Sequence, residues 1–302
     1  MIKLSKKILF LFSLGATYVS YGLQLPLPPA GNDLCGKVQT TVVKAGDTMG
    51  DIARKYDLGY FEMVAANPQV NPKHLQPGTQ LIIPTQFIIP HIPYRGIVIN
   101  LGTMRLYYFP KGKNYFYTYP VGIGRKDWST PLGILHIVEK IKNPVWYVPQ
   151  SIYLYRQKEG DPVPKVVKPG PDNPLGQYAL RLSKRTYLIH DTNDPASVGV
   201  RSSAGCIHLY PEDIKELFDL ATIKEPVIII NQPYLVGWSA DALYMEAHLP
   251  LEEQRSALEN AAEQATTLVN SLSKEGMNVE WENAKEIIQD HTGIPEVVGT
   301  RP

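Results

Sequence analysis

A chain of 302 residues, 44% of them hydrophobic, is long enough to bury a real core and to divide into two domains. Its 30 basic and 29 acidic residues leave a formal charge of +1, and removing an N-terminal segment that carries Lys3, Lys6 and Lys7 and no acid leaves the rest slightly acidic. That balance excludes the basic footprint of a nucleic-acid-binding protein.

The chain opens MIKLSKKILFLFSLGATYVSYG, with a lysine-rich start, an apolar run from Ile8 to about Val19, and Ser20 and Gly22 at the spacing of a cleavage site. The run is shorter than the ~20 apolar residues a spanning helix needs. Residues 1–22 therefore read as a signal peptide cut between Gly22 and Leu23, and the protein as exported and soluble. No lipobox surrounds Cys35. In an oxidising compartment the two cysteines, Cys35 and Cys206, would ordinarily pair, but the setting of Cys206 argues for a free thiol. The proline-rich stretch that follows, LQLPLPPAGN, makes residues 23–39 a linker.

Residues 40–85 have the pattern strand–helix–helix–strand. After VVKAGDT, Asp47 or Thr48 can cap a helix that carries Met49, Ile52, Ala53 and Tyr56 at helical spacing. A second short helix through Phe61, Met63, Val64 and Ala65 is broken by Asn67-Pro68, and Pro77-Gly78 turns into the closing strand QLIIP. This framework, aGDT…iA…y…aNP…l.pGt.l.IP, resembles the LysM module almost end to end. The resemblance implies binding of N-acetylglucosamine-containing glycans, here peptidoglycan strands; the alternative is a small packed spacer. On that reading, removing residues 40–85 weakens sedimentation with purified sacculi and leaves reaction with soluble stems nearly intact.

Strands dominate from Tyr94 onward, so residues 95–232 read as a mostly β domain. GIVINLGTMRLYYF and NYFYTYPVGIG alternate in polarity and are joined by a turn at 110–114 as a hairpin; GILHIVEKI, QYALRL, RTYLIH and PVIII follow. The GIG at 122–124 lacks the third glycine and the helix of a dinucleotide loop. Pro211 with Glu212 and Asp213 marks a helix start. Residues 233–302 read as a strand and a helical appendage. One helix spans Leu251 to Lys274, with Ala257, Leu258, Ala261, Ala265, Leu268 and Leu272 on its apolar face, and another runs from Trp281 to Gln289.

Cys206 lies between Gly205 and the Pro211 helix. It is either a small buried hydrophobe or a nucleophile. A cysteine nucleophile attacks as thiolate and needs a base and oriented amide donors. His190 ends the strand RTYLIH sixteen residues earlier, and Gly205 permits a turn whose backbone N–H groups converge. No HExxH or paired-cysteine ligand set is present, so neither metal nor cofactor is expected.

The stretch IHDTNDPASVGVRSSAGCIHL resembles the signature of the L,D-transpeptidases with a YkuD-type catalytic domain, I-H-G-T-N followed by S-x-G-C-[IV]-R. YPVGIGRKDWSTPLG (119–133) and PGPDNPLGQYAL match the same family, and the architecture is nearest to its ErfK-type periplasmic enzymes. The resemblance implies a mostly β catalytic domain, sandwich- or barrel-like, joined to the small α+β LysM module and a helical tail. It places the nucleophile on Cys206 and the base on His190, with backbone amides around Cys206 as the oxyanion hole and Ser203, Ala204 and Gly205 in its loop. The implied reaction releases D-alanine from a peptidoglycan tetrapeptide stem and passes the acyl group to an amine. That amine belongs either to a lysine of an outer-membrane protein, which the ErfK-type architecture favours, or to another diaminopimelate. A hydrolase, or an inactive wall-binding protein, are the alternatives.

Three residues depart from the pattern: Asp191 for Gly, Ala204 for His, and His208 for Arg. Asp191 is a turn residue or an orienter of His190. A histidine at 208 would hold a substrate carboxylate weakly and only when protonated. Arg201 either binds an anionic group or braces the loop, and Trp146, Tyr147 and Tyr178 are further candidates for lining the cleft.

Overall fold

In this computed structural model, residues 22–254, 261–273 and 276–301 are described. Residues 1–21 of the expected signal peptide, and Ala257 and Leu258 of the expected 251–274 helix, lie outside them.

A nine-stranded mixed sheet forms the centre, in the order Leu23–Pro26, Tyr115–Pro120, Arg105–Phe109, Gly96–Asn100, Pro226–Ile230, Gly133–Lys142, Tyr178–Leu182, Leu188–His190, Ile207–His208. GIVINLGTMRLYYF is itself a hairpin, because the chain turns at 101–104 and pairs Gly96–Asn100 antiparallel with Arg105–Phe109. Every residue of those two strands is buried, as expected of a sheet covered on both faces. Side chains alternate between the faces. Ile97, Ile99, Leu106, Tyr108, Tyr117 and Tyr119 join one core with Ile214 and Leu217 of the helix Pro211–Leu220. Val98, Tyr107, Phe109 and Phe116 join a second core on the opposite face.

That second core is shared with the βααβ segment. Its strands Gln39–Val42 and Gln80–Ile83 pair with each other, and the helices Met49–Lys55 and Tyr60–Ala66 lie between them in sequence. Thr48 caps the first helix by accepting from the Asp51 amide. Met49, Ile52, Leu58, Met63, Leu81 and Ile83 pack directly on the sheet residues. Polar contacts reinforce the seam. Arg105, fully buried, donates to both Glu62 oxygens at 2.8 and 2.9 Å, Arg54 to both Glu212 oxygens at 2.7 Å, and Tyr210 Oη to the Leu58 carbonyl at 3.1 Å. Gly199, at φ +74, touches Gly59 so closely that a Cβ there would lie 2.3 Å from the Gly59 Cα. The segment keeps its own two-stranded sheet but packs on the central sheet and shares its second core, so loss of residues 40–85 would expose half of that core, which weighs against the expectation that reaction with soluble substrate survives their removal nearly intact.

Residues 23–39, read as a linker, contain two strands. Leu23–Pro26 extends the sheet edge, and Leu34–Gly36 pairs with Gln86–Ile88. The C-terminal part also holds more strand than the sequence suggests. Tyr234–Ser239, Ala242–Ala247, Glu296–Thr300 and Asn278–Val279 form a sheet against which Ala261–Leu272 and Trp281–Asp290 pack. The pairing of residues 296–300 with a strand fifty residues earlier leaves no trace in local periodicity. No helix among the described residues is long and apolar enough to cross a membrane.

Candidate active site

The strand Leu188–His190 runs parallel to Ile207–His208, in the register Ile189 to Ile207 and His190 to His208. Ile189, Ile207 and Leu209 enter the core. By alternation His190 and His208 project from the other face, and Cys206 directly precedes Ile207, at the N-terminal end of the strand that pairs with the one carrying His190.

His190 is buried, and its Nδ1 is hydrogen-bonded to the Asp191 carbonyl. A carbonyl only accepts, so Nδ1 carries the proton and Nε2 the free lone pair. Burial, helped by the neighbouring His208 ring 5.9 Å away, pushes the imidazole pKa down to about 3, against the opposing pull of the Asp191 carbonyl. The orienting group is thus a main-chain carbonyl. The Asp191 carboxylate accepts the amides of Gln177 at 2.8 Å and Thr192 at 2.7 Å, under a Gly176 at φ +59 whose Cβ would lie 2.2 Å from the Asp191 Cγ. Asp191 anchors the turn; its carboxylate does not orient the histidine.

Cys206 is a free, half-buried thiol, as Cys35 is a free, buried one. Its Sγ donates to the Thr186 carbonyl at 3.8 Å. Burial pushes its pKa up to about 11, offset in part by the Leu188 amide and by Arg181. The site at rest therefore holds a neutral thiol and a neutral imidazole, not a thiolate–imidazolium pair.

The turn before Cys206 is held from both sides. Gly205 sits at φ +102 beneath Tyr187, where a Cβ would come within 2.8 Å of the ring. Ser203 Oγ accepts the Gly205 amide at 3.1 Å and donates to the Cys206 carbonyl. The Gly205 N–H is thereby committed within the loop and is not an oxyanion donor in this conformation; Ala204 is half-buried in the same turn. Thr130, buried, donates through Oγ1 to the Gly205 carbonyl and accepts the Gly124 amide, both at 3.0 Å. Sequence reasoning did not single it out, although it lies within the TPLG match.

The remaining candidates do not gather around the thiol. The Arg201 guanidinium is bidentate to Glu253 at 2.7 and 2.9 Å and donates through Nε to the Gly124 carbonyl, so it braces the loop instead of offering an anion site. His208 is buried with Nε2 3.0 Å from the Ser197 carbonyl, and burial lowers its pKa. Being neutral and enclosed, it is not available to hold a substrate carboxylate. Its ring lies against Gly122, where a Cβ would sit 1.9 Å from Nε2, which explains a glycine of the GIG stretch. Tyr178 packs its ring on Phe218 at 5.1 Å. Trp146 and Tyr147 form a two-residue ribbon with Val166–Val167, with the Tyr147 ring exposed.

A mostly β scaffold that brings a cysteine-bearing turn and a strand ending in a tautomer-locked histidine together through parallel pairing defines a candidate cysteine acyltransferase. Residues 94–229 match the YkuD family, the L,D-transpeptidase catalytic domain, and residues 41–84 match the LysM domain. The chain is 41% identical over 235 residues to the probable L,D-transpeptidase YcfS of Escherichia coli (strain K12), covering 76% of this chain and 73% of the relative. It is 35% identical over 291 residues to the probable L,D-transpeptidase ErfK/SrfK of Salmonella typhimurium (strain LT2), covering 94% of each, and 37% identical over 276 residues to the probable L,D-transpeptidase YbiS of Escherichia coli (strain K12), covering 89% and 90%. The chain belongs to the L,D-transpeptidase family and carries a LysM domain ahead of its catalytic domain.

Proposed function

We propose that the protein is a periplasmic peptidoglycan L,D-transpeptidase in which Cys206 is the nucleophile and His190 the general base. The observation that carries this reading is the parallel pairing of Leu188–His190 with Ile207–His208, which sets the turn ending in Cys206 beside the strand ending in His190, with His190 Nδ1 held by the Asp191 carbonyl so that Nε2 is the basic nitrogen. In a tetrapeptide stem, the carbonyl at the L-centre of meso-diaminopimelate is the target. The thiol turns from the Thr186 carbonyl, its proton passes to His190 Nε2, and sulfur bonds to the carbonyl carbon. The Cys206 amide receives the oxyanion. Collapse breaks the C–N bond to D-alanine, whose amine takes the proton from His190, and a thioester remains. An acceptor amine then attacks, His190 removes its proton, and the sulfur leaves to be reprotonated. The LysM domain holds the enzyme on the glycan beside its stems.

The acceptor we favour is a lysine of an outer-membrane protein, on the likeness to ErfK-type architecture. Intact-mass analysis of the mature protein with tetrapeptide stems tests the chemistry. An adduct on Cys206 with loss of D-alanine is expected; its absence overturns the reading, and turnover by water alone makes the enzyme a hydrolase. Sacculi from cells with and without the enzyme, digested with muramidase and trypsin, test the acceptor. Stem-linked protein peptides should vanish without it; loss of diaminopimelate–diaminopimelate cross-links alone reassigns the acceptor.

A further inference from the structure

Cleavage between Gly22 and Leu23 would turn a peptide N–H into an α-ammonium, and the fold has arranged what that group meets. Leu23 begins the sheet-edge strand and packs against the second core, and its nitrogen lies 2.8 Å from Asp57 Oδ2. Asp57 is 1% exposed, just past the helix Met49–Lys55, and its Oδ1 has no hydrogen-bond donor outside the acid pair described next. Asp213, in the first turn of Pro211–Leu220, is also 1% exposed, and its Oδ2 has none either. The two carboxyls are within hydrogen-bond reach of each other, and such a pair keeps one proton between them. Burial, followed by the charges of Asp57, Glu212 and Glu216, holds that proton on Asp213.

Asp57 then remains a buried carboxylate facing Arg105 and Glu62. Arg105 is already bidentate to Glu62, and Arg54 is committed to Glu212 at the rim. The hydroxyls of Tyr119 and Tyr210 feel the same acids and stay protonated. Two buried carboxylates thus face one buried guanidinium, and the cluster lacks one cation. On the other side of the scissile bond, the Gly22 amide reaches Glu216, and Gly22 itself runs so close to Tyr119 that a Cβ would lie 2.0 Å from the ring.

We propose that the α-ammonium exposed at Leu23 by signal-peptide removal is the missing cation, seating on Asp57 as a buried ion pair that ties the mature N-terminus to the LysM segment and the helix Pro211–Leu220. The inference rests on the cleavage site read from the sequence and is independent of the chemistry at Cys206. It separates two forms by pH. While residue 23 is an amide, burial pushes Asp57 up to about 7, so the folded state takes up a proton and loses stability as pH rises from about 4 through 7. With the ammonium in place the carboxylate is favoured, and that loss disappears until the amine itself deprotonates.

The test compares the mature protein, purified from the periplasm, with the same chain bearing Gly-Ser-Gly before Leu23. Intact mass should place the mature start at Leu23. Reductive methylation should label that amine at least tenfold more slowly in the folded protein than in urea. The mature chain should melt several degrees above the extended one at pH 8 and less so at pH 4, and Asp57→Asn should narrow the gap at pH 8. A different start, an amine as reactive folded as unfolded, or parallel melting profiles for the two chains would each overturn the proposal. The comparison of the two unmutated chains stands even if Asp57→Asn does not fold.

Discussion

Cys35 and Cys206 sit in regions that share one electrostatic cause and differ in everything else. Burial raises both thiols. Cys35 lies inside the core between the sheet and the LysM segment, with Sγ donating to the Phe87 carbonyl at 3.4 Å and Glu246 adding a repulsive charge. Cys206 is half-buried on a turn held by Ser203 and Thr130, directly ahead of the strand that pairs with Leu188–His190. The direction of a pKa shift therefore does not separate a core thiol from a proposed nucleophile. Access and a neighbouring base do.

Replacing each cysteine in turn breaks the comparison most sharply. Cys206→Ala should reduce acylation by stems to background, read by intact mass. Cys35→Ala should leave acylation within about twofold and cost on the order of 1 kcal/mol of stability, because it vacates a packed site. The reverse pattern would exchange the two roles. Removing the proposed base is expected to give the next largest effect. His190→Gln keeps a side chain of similar reach but no proton acceptor at Nε2, and single-turnover acylation should fall by about 10²- to 10⁴-fold.

A third variant loosens only the Cys35 region. Glu62→Gln removes the bidentate partner of the buried Arg105 guanidinium, leaving Asp57 as the carboxylate that faces it, and should cost about 1–3 kcal/mol in urea unfolding. Cys35 should then become alkylatable at lower urea, while Cys206 reactivity in buffer is unchanged.

The smallest effect is read from pH. With burial pushing the Cys206 thiol up to about 11, alkylation by a neutral reagent should rise roughly tenfold per unit from pH 6 to 9 with no plateau, and Cys35 should stay silent. A plateau near pH 6 would reveal a thiolate already paired with imidazolium. His190 carries the complementary sign. Its folded pKa of about 3 lies below the unfolded value near 6.5, so its contribution to stability is fully present above 6.5 and is lost as pH falls toward 3, up to ~4 kcal/mol.

The sequence by itself determined the local features that one stretch of chain can carry: the first helix of the LysM segment with its cap at Asp47 or Thr48, the helix starting at Pro211, the period-two strands, and the positions of His190 and Cys206 in a motif of recognisable spacing. What only the tertiary structure decided depends on groups distant in the chain. The proline-rich stretch after Gly22 became a sheet edge because Tyr115–Pro120 offered it hydrogen bonds. The tail gained a sheet because residues 296–300 return to pair with 242–247. Arg201 became a brace because Glu253 reaches it from fifty-two residues away, and His208 an enclosed spacer because Gly122 leaves room for its ring. The roles of Asp191 were divided between carbonyl and carboxylate, a choice set by where the Gln177 amide lies. Periodicity and motif spacing record which residues share a helix or a strand face. The partner of a charge, or the space beside a ring, is fixed by packing between segments, and no local pattern encodes it.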